Sequence, residues 1–420
     1  MLLNIGSSGG PMDGTSALCQ SINQAVGPGI PGFVFVTGTS DDGGMPSHAA
    51  GTVAPNGTAT IQINHGNPGT LYFDLWYSST DRFDVTITTP HGTYGPYTSP
   101  AANNTYDIQN TSDFLYYQLG GSVNFYNTII PQREIYAQLT GPTGAYSVTL
   151  TGTVVTNGHF KASLNPSQIY NPSANSNYFT SYVVPGYNIW DLASATNDIC
   201  PNDYVHRTNW VDITGVARSE ADEGGLGQLW GGTGLGPTYD GRIGVDVSAP
   251  GESVFTVYNT NSYWDTFQFN LIQDGLGLYG RADATSAANP LVTGIIALML
   301  QKNPRLDAAM VKQILHQSAK ADMFTGAVPN PQWGYGKVSA SNALALVQAT
   351  LPALSMPAVI NQHFQALVQP TVPGWQYLLQ TSTNLVSWSA ILTNTATSNL
   401  LGIVDSGAVS GARFYRVFTQ

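Results

Sequence analysis

Apolar and polar positions change their rhythm several times along the chain. Residues 1–40 open with a short apolar run, Leu2–Ile5, that leads into Ser7-Ser8-Gly9-Gly10. A helix is predicted over Thr15–Val26, with Leu18, Ile22 and Val26 at helical spacing. Pro28 and Pro31 close it, and Phe33–Val36 reads as a second buried strand. From 53 to 175 the pattern becomes short alternating strands bounded by turns: Thr60–Ile63, Leu71–Trp76, Asp84–Ile87 and Tyr146–Leu150. That is the signature of an all-β sandwich or jelly roll. Between 178 and 348 the helical period returns. One helix is predicted over Ser286–Gln301, apolar nearly all round and therefore buried. Another starts at Asp307, a capping residue, and puts Met310, Val311, Ile314 and Leu315 on one face. Pro352 and Pro357 mark a linker, after which alternation resumes to the end, and no fixed-period repeat stands out.

The expected organisation is an α/β domain in two segments, 1–52 and 178–349. An all-β insert spans 53–177 and a small all-β module spans 350–420. In open α/β sheets the loops at the strand C-ends line the binding site, so an insertion there has functional weight.

Composition narrows the class. Hydrophobic residues make up 42%, enough for a sizeable core, whereas charged residues make up 9% against ~25% in an average domain. With 25 acids against 14 bases, the net charge of −11 argues against a nucleic-acid or anionic-membrane partner, which needs clustered Lys and Arg. Low charge with many Tyr, Trp, Gly and Pro points to an extracellular or cell-surface protein. Cys19 and Cys200 are too few for a disulfide scaffold and read as buried thiols. The best apolar run, Ile295–Leu300, is far too short to span a membrane. The start, Met1-Leu2-Leu3-Asn4-Ile5-Gly6, lacks the basic head of a signal peptide and reads as a strand inside a domain. A signal peptide is therefore expected upstream.

The segment richest in chemistry is Ala284-Thr285-Ser286-Ala287-Ala288-Asn289-Pro290-Leu291-Val292-Thr293-Gly294. A serine in the first turn of a helix faces unpaired N–H groups and the positive end of the dipole, which favour an oxyanion beside it. Pro290 is tolerated if it lies in that first turn. The segment resembles the nucleophile motif of the subtilisin-like serine peptidases, Gly-Thr-Ser-Met-Ala-(Ala/Ser)-Pro-His-Val-Ala-Gly. Asp246-Val247-Ser248-Ala249-Pro250-Gly251 is similar to the strand and loop ahead of it. Ala195-Thr196-Asn197-Asp198-Ile199 is similar to the family's Ala-Lys-Asn-Val-Ile strand. Ser7-Ser8-Gly9-Gly10 resembles the family's Ser-Leu-Gly-Gly substrate strand, and Pro31–Thr39 resembles the strand ending in Ala-Ala-Gly-Asn.

The resemblance implies a mostly parallel sheet with helices on both faces, interrupted by the β insert. It also implies a serine endopeptidase acting on peptide or protein substrates through an acyl-enzyme on Ser286. Ser7, Ser8, Gly9 and Gly38 would bind substrate, and Thr39 would stand at the oxyanion asparagine position with a shorter reach. No cofactor is implied; calcium is common in the family, but no Asp-rich loop here can be assigned to it.

The family's mechanism also needs an aspartate and a histidine. Their motifs lie ahead of the substrate strand, and neither is found in these 420 residues. His91-Gly92-Thr93 resembles the histidine motif superficially, but Tyr94-Gly95-Pro96 follows, where no helix can form. His48 opens the insert, with Met45 where the imidazole would stand; His206 and His316 fall on structural segments. Ala284 replaces the motif glycine and Leu291 the motif histidine.

Two readings follow: the C-terminal part of a longer peptidase, inactive as written, or a non-catalytic relative acting as a secreted or surface binding protein. In the first, an unpaired sheet edge makes poor solubility the expectation. Trp76, Tyr72 and Tyr77 are either a glycan- or peptide-binding platform or an aromatic core. Cell-surface or glycan contact through the β modules is a further expectation.

Overall fold

The structure is a computed structural model. It describes all residues except 68, 101–105, 120–122, 126–127, 166–176, 221–222, 350–351, 370, 372, 408–410 and 420. Strands hold 40% of the residues and helices 16%. The chain forms two compact units, one of residues 1–26, 35–293 and 320–337, the other of residues 27–34, 294–319 and 338–420. The insert expected over 53–177 thus shares a unit with flanking segments, and the boundary falls inside a helix.

In the first unit a narrow parallel ribbon carries the candidate site. Leu2–Leu3 pairs in parallel with Val36–Thr37, and Val36 bridges to Ile199. Pro201–Val205 then pairs in parallel with Val247–Glu252, and Ser248 bridges to Lys337. Antiparallel pairing dominates elsewhere. Parallel strands are therefore a minority, unlike the expected mostly parallel sheet.

Between residues 48 and 179 two antiparallel sheets face one another. The six-stranded sheet runs His48–Thr52, His159–Asn165, Leu71–Ser78, Gln132–Leu139, Phe114–Leu119, Tyr106–Asn110. The five-stranded sheet runs Tyr178–Phe179, Thr58–His65, Gly144–Val154, Arg82–Thr89, Gly92–Tyr97. Alternation decides which side chains face inward: Leu71, Phe73, Leu75 and Tyr77 join Ile61, Ile63, Val85, Ile87 and Phe114 in one buried core. Tyr77 stacks on Phe83 at 4.5 Å. Trp76, on the other face, is buried with Met12 and Tyr239. The two residues best suited to an aromatic platform are therefore core, because both faces of their strand are covered.

Helix α1 spans Ala17–Ala25, and Ser16 Oγ accepts the Cys19 N–H at 3.2 Å as its cap. Its buried residues are Cys19 and Ile22, while Leu18, expected inward, is 59% exposed. Both cysteines are free and buried. The Cys19 thiol donates to the Asp191 carbonyl, and burial pushes its pKa up to about 12. Helix α2 spans Thr285–Lys302, longer than expected and less buried: Leu291 and Leu298 are 39% and 47% exposed.

In the second unit α3 (Ala308–Ser318) is capped by Asp307, whose Oδ1 accepts the Met310 N–H at 2.9 Å. Met310, Val311, Ile314 and Leu315 are its buried residues, as the periodicity predicts. After α4 (Ala340–Ala349) come two three-stranded antiparallel sheets. One is ordered Ala353–Ile360, His363–Gln369, Leu401–Asp405; the other Ser389–Thr395, Gln376–Ser382, Phe414–Thr419. Pro357 lies in a strand rather than a linker. It is accommodated at a bulge between Ser355 and Ala358, where Met356 has φ +48°.

Candidate active site at the start of helix α2

Ser286 is the second residue of α2 and is exposed. No hydrogen bond of its hydroxyl or its backbone N–H is found among the described residues, as expected for a first-turn amide. The turn before it is held on both sides. Asp41 Oδ1 accepts from the Thr285 hydroxyl at 2.8 Å and from its N–H at 3.2 Å. Burial raises the Asp41 pKa, and the Thr285 bonds oppose the shift. Glu252 Oε1 accepts the Ala284 N–H at 3.0 Å.

Ala284 stands where the resembling motif has glycine, and its φ is +68°, in the left-handed region that a Cβ disfavours. Ala284→Gly should relieve that cost, offset in part by glycine's greater freedom in the unfolded chain. A gain of about 1 kcal/mol in chemical denaturation is expected.

Pro290 proves to be the sixth residue of α2, not a first-turn residue. It cannot donate to the carbonyl four residues back, which is that of Ser286. Asn4 Nδ2 supplies the missing donor to the Ser286 carbonyl at 3.0 Å, and Asn4 Oδ1 accepts from Asn289 Nδ2 at 2.9 Å. Asn4→Ala should cost about 1 kcal/mol. Faster amide hydrogen exchange in the first two turns of α2 would report it.

Gly38 is needed for close approach. A Cβ there would lie 2.3 Å from Asn289 Nδ2 and 2.9 Å from Thr285 Oγ1. Thr39 is fully buried, its hydroxyl has no partner, and its backbone bonds to Pro201 and Trp190.

The segment expected to bind substrate is engaged with protein. Ser8 is buried; its hydroxyl donates to Asp42 Oδ2 at 2.6 Å and its carbonyl accepts the Ser163 hydroxyl. Ser7 Oγ accepts from Asn165 Nδ2 at 2.8 Å and from the Gly9 N–H at 3.1 Å. The Gly10 N–H donates to Asp74 Oδ2 at 2.7 Å. Asp74, Ser163 and Asn165 belong to the six-stranded sheet, so that sheet occupies this side of residues 7–10.

Beneath the Ser286 turn lies an acidic cluster that the sequence did not flag. Asp203 is fully buried, and neither of its oxygens has a donor. Burial raises its pKa well above the usual range, and the adjacent Glu252 carboxylate adds to the rise. Burial, then the Asp283 charge, pushes Glu252 up to about 8, against the pull of the Ala284 N–H. Arg281 pairs with Glu220 and, at 2.8 Å, with Asp283, and lies over the Trp210 ring at 4.4 Å. Ligand oxygens of Glu220, Glu252 and Asp283 come within 4.8 Å of one another. Arg281 supplies positive charge beside them.

None of the histidines weighed from sequence bonds to Ser286 among the described residues. His48 is buried in the six-stranded sheet, and burial lowers its pKa to about 4, so the ring is neutral. His91 sits in the turn between Arg82–Thr89 and Gly92–Tyr97, with Nδ1 2.6 Å from Asp113 Oδ1. His206 follows the Pro201–Val205 strand, and His316 lies on α3.

Ser286 thus stands exposed in the first turn of a helix whose leading residues are bound by Asn4, Asp41 and Glu252. The family description "Subtilase family" matches residues 143–336, the region that holds Ser286. Serine protease AprX of Bacillus subtilis (strain 168) is 35% identical over 109 residues, 26% of this chain and 24% of that protein. The CspB protease of Clostridium perfringens shares the fold, with a TM-score of 0.61 at 18% identity. That alignment covers 83% of this chain and 65% of that one. The chain thus spans about a quarter of AprX and 65% of the CspB chain.

Proposed function

We propose that the chain is part of a subtilisin-type serine endopeptidase, with Ser286 as nucleophile. The observation that carries this is Ser286 itself, exposed beside an unpaired first-turn N–H. In the reaction, Ser286 Oγ would bond to the substrate carbonyl carbon as its proton passes to a histidine. The Ser286 N–H and the positive end of α2 would stabilise the oxyanion. The C–N bond would then break, and the amine would leave with the proton, giving an ester that water hydrolyses. The aspartate and histidine would be encoded upstream, so residues 1–420 alone are inactive. Residues 53–177 would be an insert in the peptidase domain. The protein would act outside the cell or at its surface, with the C-terminal module serving attachment.

A second reading, a non-catalytic binding protein, draws support from the strained Ala284 and the buried Thr39 hydroxyl, which cannot reach a substrate as placed. The reading frame upstream of Met1 separates the two. In-frame Asp-Ser/Thr-Gly and His-Gly-Thr-His motifs are expected; a frame without them sinks the peptidase reading.

A further inference from the structure

The chain's charge of −11 conceals two units of opposite sign. The second unit holds Lys302, Arg305, Lys312, Arg413 and Arg416 against only Asp307 and Asp405, a net +3. Nine bases and 23 acids remain for the first unit, a net −14. Both acids of the second unit are engaged within it. Asp307 accepts the Met310 and Gly29 N–H groups at 2.9 and 2.7 Å. Asp405 accepts the Tyr415 hydroxyl at 3.0 Å and pairs with Arg413 at 3.2 Å. Neither Arg305 nor Arg416 has a carboxylate partner among the described residues.

These two arginines line one surface. Gln376, Leu378 and Gln380 alternate along one strand, with Phe418 opposite Leu378 and Arg416 opposite Gln380 on the next. The five side chains therefore share one face of that sheet, while Tyr377 and Leu379 on its other face are buried. Together with Arg305 they line a groove of about 900 Å³ within this unit. Guanidiniums and rings follow one another in a row. Arg416 lies 4.1 Å from the Trp388 centroid and 4.7 Å from that of Phe418, and Arg305 lies 5.2 Å from Phe418. Arg416 Nε donates to Gln380 Oε1 at 2.8 Å, which uses one of the five N–H groups of a guanidinium. A guanidinium stacked on a ring keeps its N–H edge for an oxyanion.

We infer that this groove binds a linear acidic polysaccharide, with uronate carboxylates on Arg305 and Arg416 and sugar hydroxyls on the amides of Gln376 and Gln380. Charge selects the partner: the positive unit of the chain carries the groove, and Asp307, the acid in its lining, is committed to backbone N–H groups. Composition selects its kind, because the face sets neutral amides beside cations, as a chain of alternating hydroxyls and carboxylates requires. A nucleic acid fits less well. Five bases are few for a phosphate backbone, and the Phe418 ring stacks guanidiniums rather than a base. The inference gives a partner class to the attachment proposed for this module. It does not depend on Ser286, so its failure leaves the peptidase reading as it stands.

The test uses the full chain and fluorescein-labelled hexagalacturonate, read by fluorescence anisotropy at neutral pH and low salt. Binding about tenfold tighter than that of labelled maltohexaose is expected. Arg305→Gln with Arg416→Gln, at unchanged circular dichroism, should bring the acidic sugar to the level of the neutral one. Should that variant lose its fold, Arg305→Gln alone, at an exposed position, carries the test with a loss of about threefold. Lys302→Gln with Lys312→Gln removes the same charge from outside the groove lining and should cost about twofold at most. Equal losses in the two double variants would mean diffuse attraction and overturn the groove assignment. Equal binding of maltohexaose, or binding of neither sugar, overturns the inference. So does tighter binding of hexaglutamate or of an oligothymidylate, which would make the partner a peptide or a nucleic acid. Displacement of the hexamer by inorganic sulfate at low salt overturns it too, since that would reveal a plain oxyanion site.

Discussion

A fluorophosphonate probe offered to residues 1–420 is expected to label Ser286 no faster than an ordinary surface serine. Access is not what limits the reaction, since Ser286 is exposed and its N–H is free for an oxyanion. On the proposed reading, the limit is the lack of a base within these residues. His48 is buried and neutral, His65 faces Asn177 at 3.0 Å, and His91 is tied to Asp113. None of the three is hydrogen-bonded to Ser286 among the described residues. Removing the histidine of a subtilisin costs about 2 × 10⁶ in turnover, so labelling should fall to the level of Ser286→Ala. Mass spectrometry of the labelled peptide reads the result. Stoichiometric modification of Ser286 in this chain alone would overturn the assignment of the base to an upstream segment. If that segment exists, refolding the chain together with it should raise labelling by at least ~10³.

The legible parts of the fold were those where one physical rule acts alone. Alternation around Leu71–Trp76 and Tyr146–Leu150 located strands, because a half-buried sheet imposes period two whatever surrounds it. Asp307 and the Met310–Leu315 face located α3 for the same kind of reason. Reading failed where tertiary packing decides. Leu18 looked inward on α1, but Cys19 and Ile22 took that place. For Trp76 and Tyr77 the sequence left platform and core both open, and sheet packing over both faces of their strand decides for core.

The place of Ser286 in the first turn of a helix was readable from the sequence, whereas Asn4 lies 282 residues away and has no motif. One signal could have found it: Pro290, well inside a helix, leaves the Ser286 carbonyl in need of a distant donor. Asp203 and Glu252 had a signal too, an acid on each of two adjacent buried strands.

Those two carboxyls make the unfolding free energy depend steeply on pH. A Cβ on Gly251 would lie 2.1 Å from the Asp203 carboxyl, so Asp203 is held against the chain segment that carries Glu252. Two buried acids side by side cannot both ionise, and one proton between them satisfies an oxygen that otherwise has no donor. The Glu252 pKa is raised from 4.5 to about 8, so the folded state holds its proton more tightly than the unfolded chain does. Its stabilising contribution is therefore complete below about pH 4.5 and declines as pH rises, until it is gone above about 8. One excess proton gives a slope of about 1.4 kcal/mol per pH unit, or about 4 kcal/mol between pH 5 and 8 at most. Asp203 acts with the same sign, since its pKa is also raised.

Glu252→Gln mimics the protonated acid: its amide can donate to Asp203, and its oxygen can still accept the Ala284 N–H. The variant should match the parent near pH 5 and gain on it steadily toward pH 8. Urea unfolding at pH 5, 6.5 and 8, followed by tryptophan fluorescence, measures the difference. Parallel pH profiles for the two proteins would show that Glu252 is ionised in the fold and would remove the shared proton.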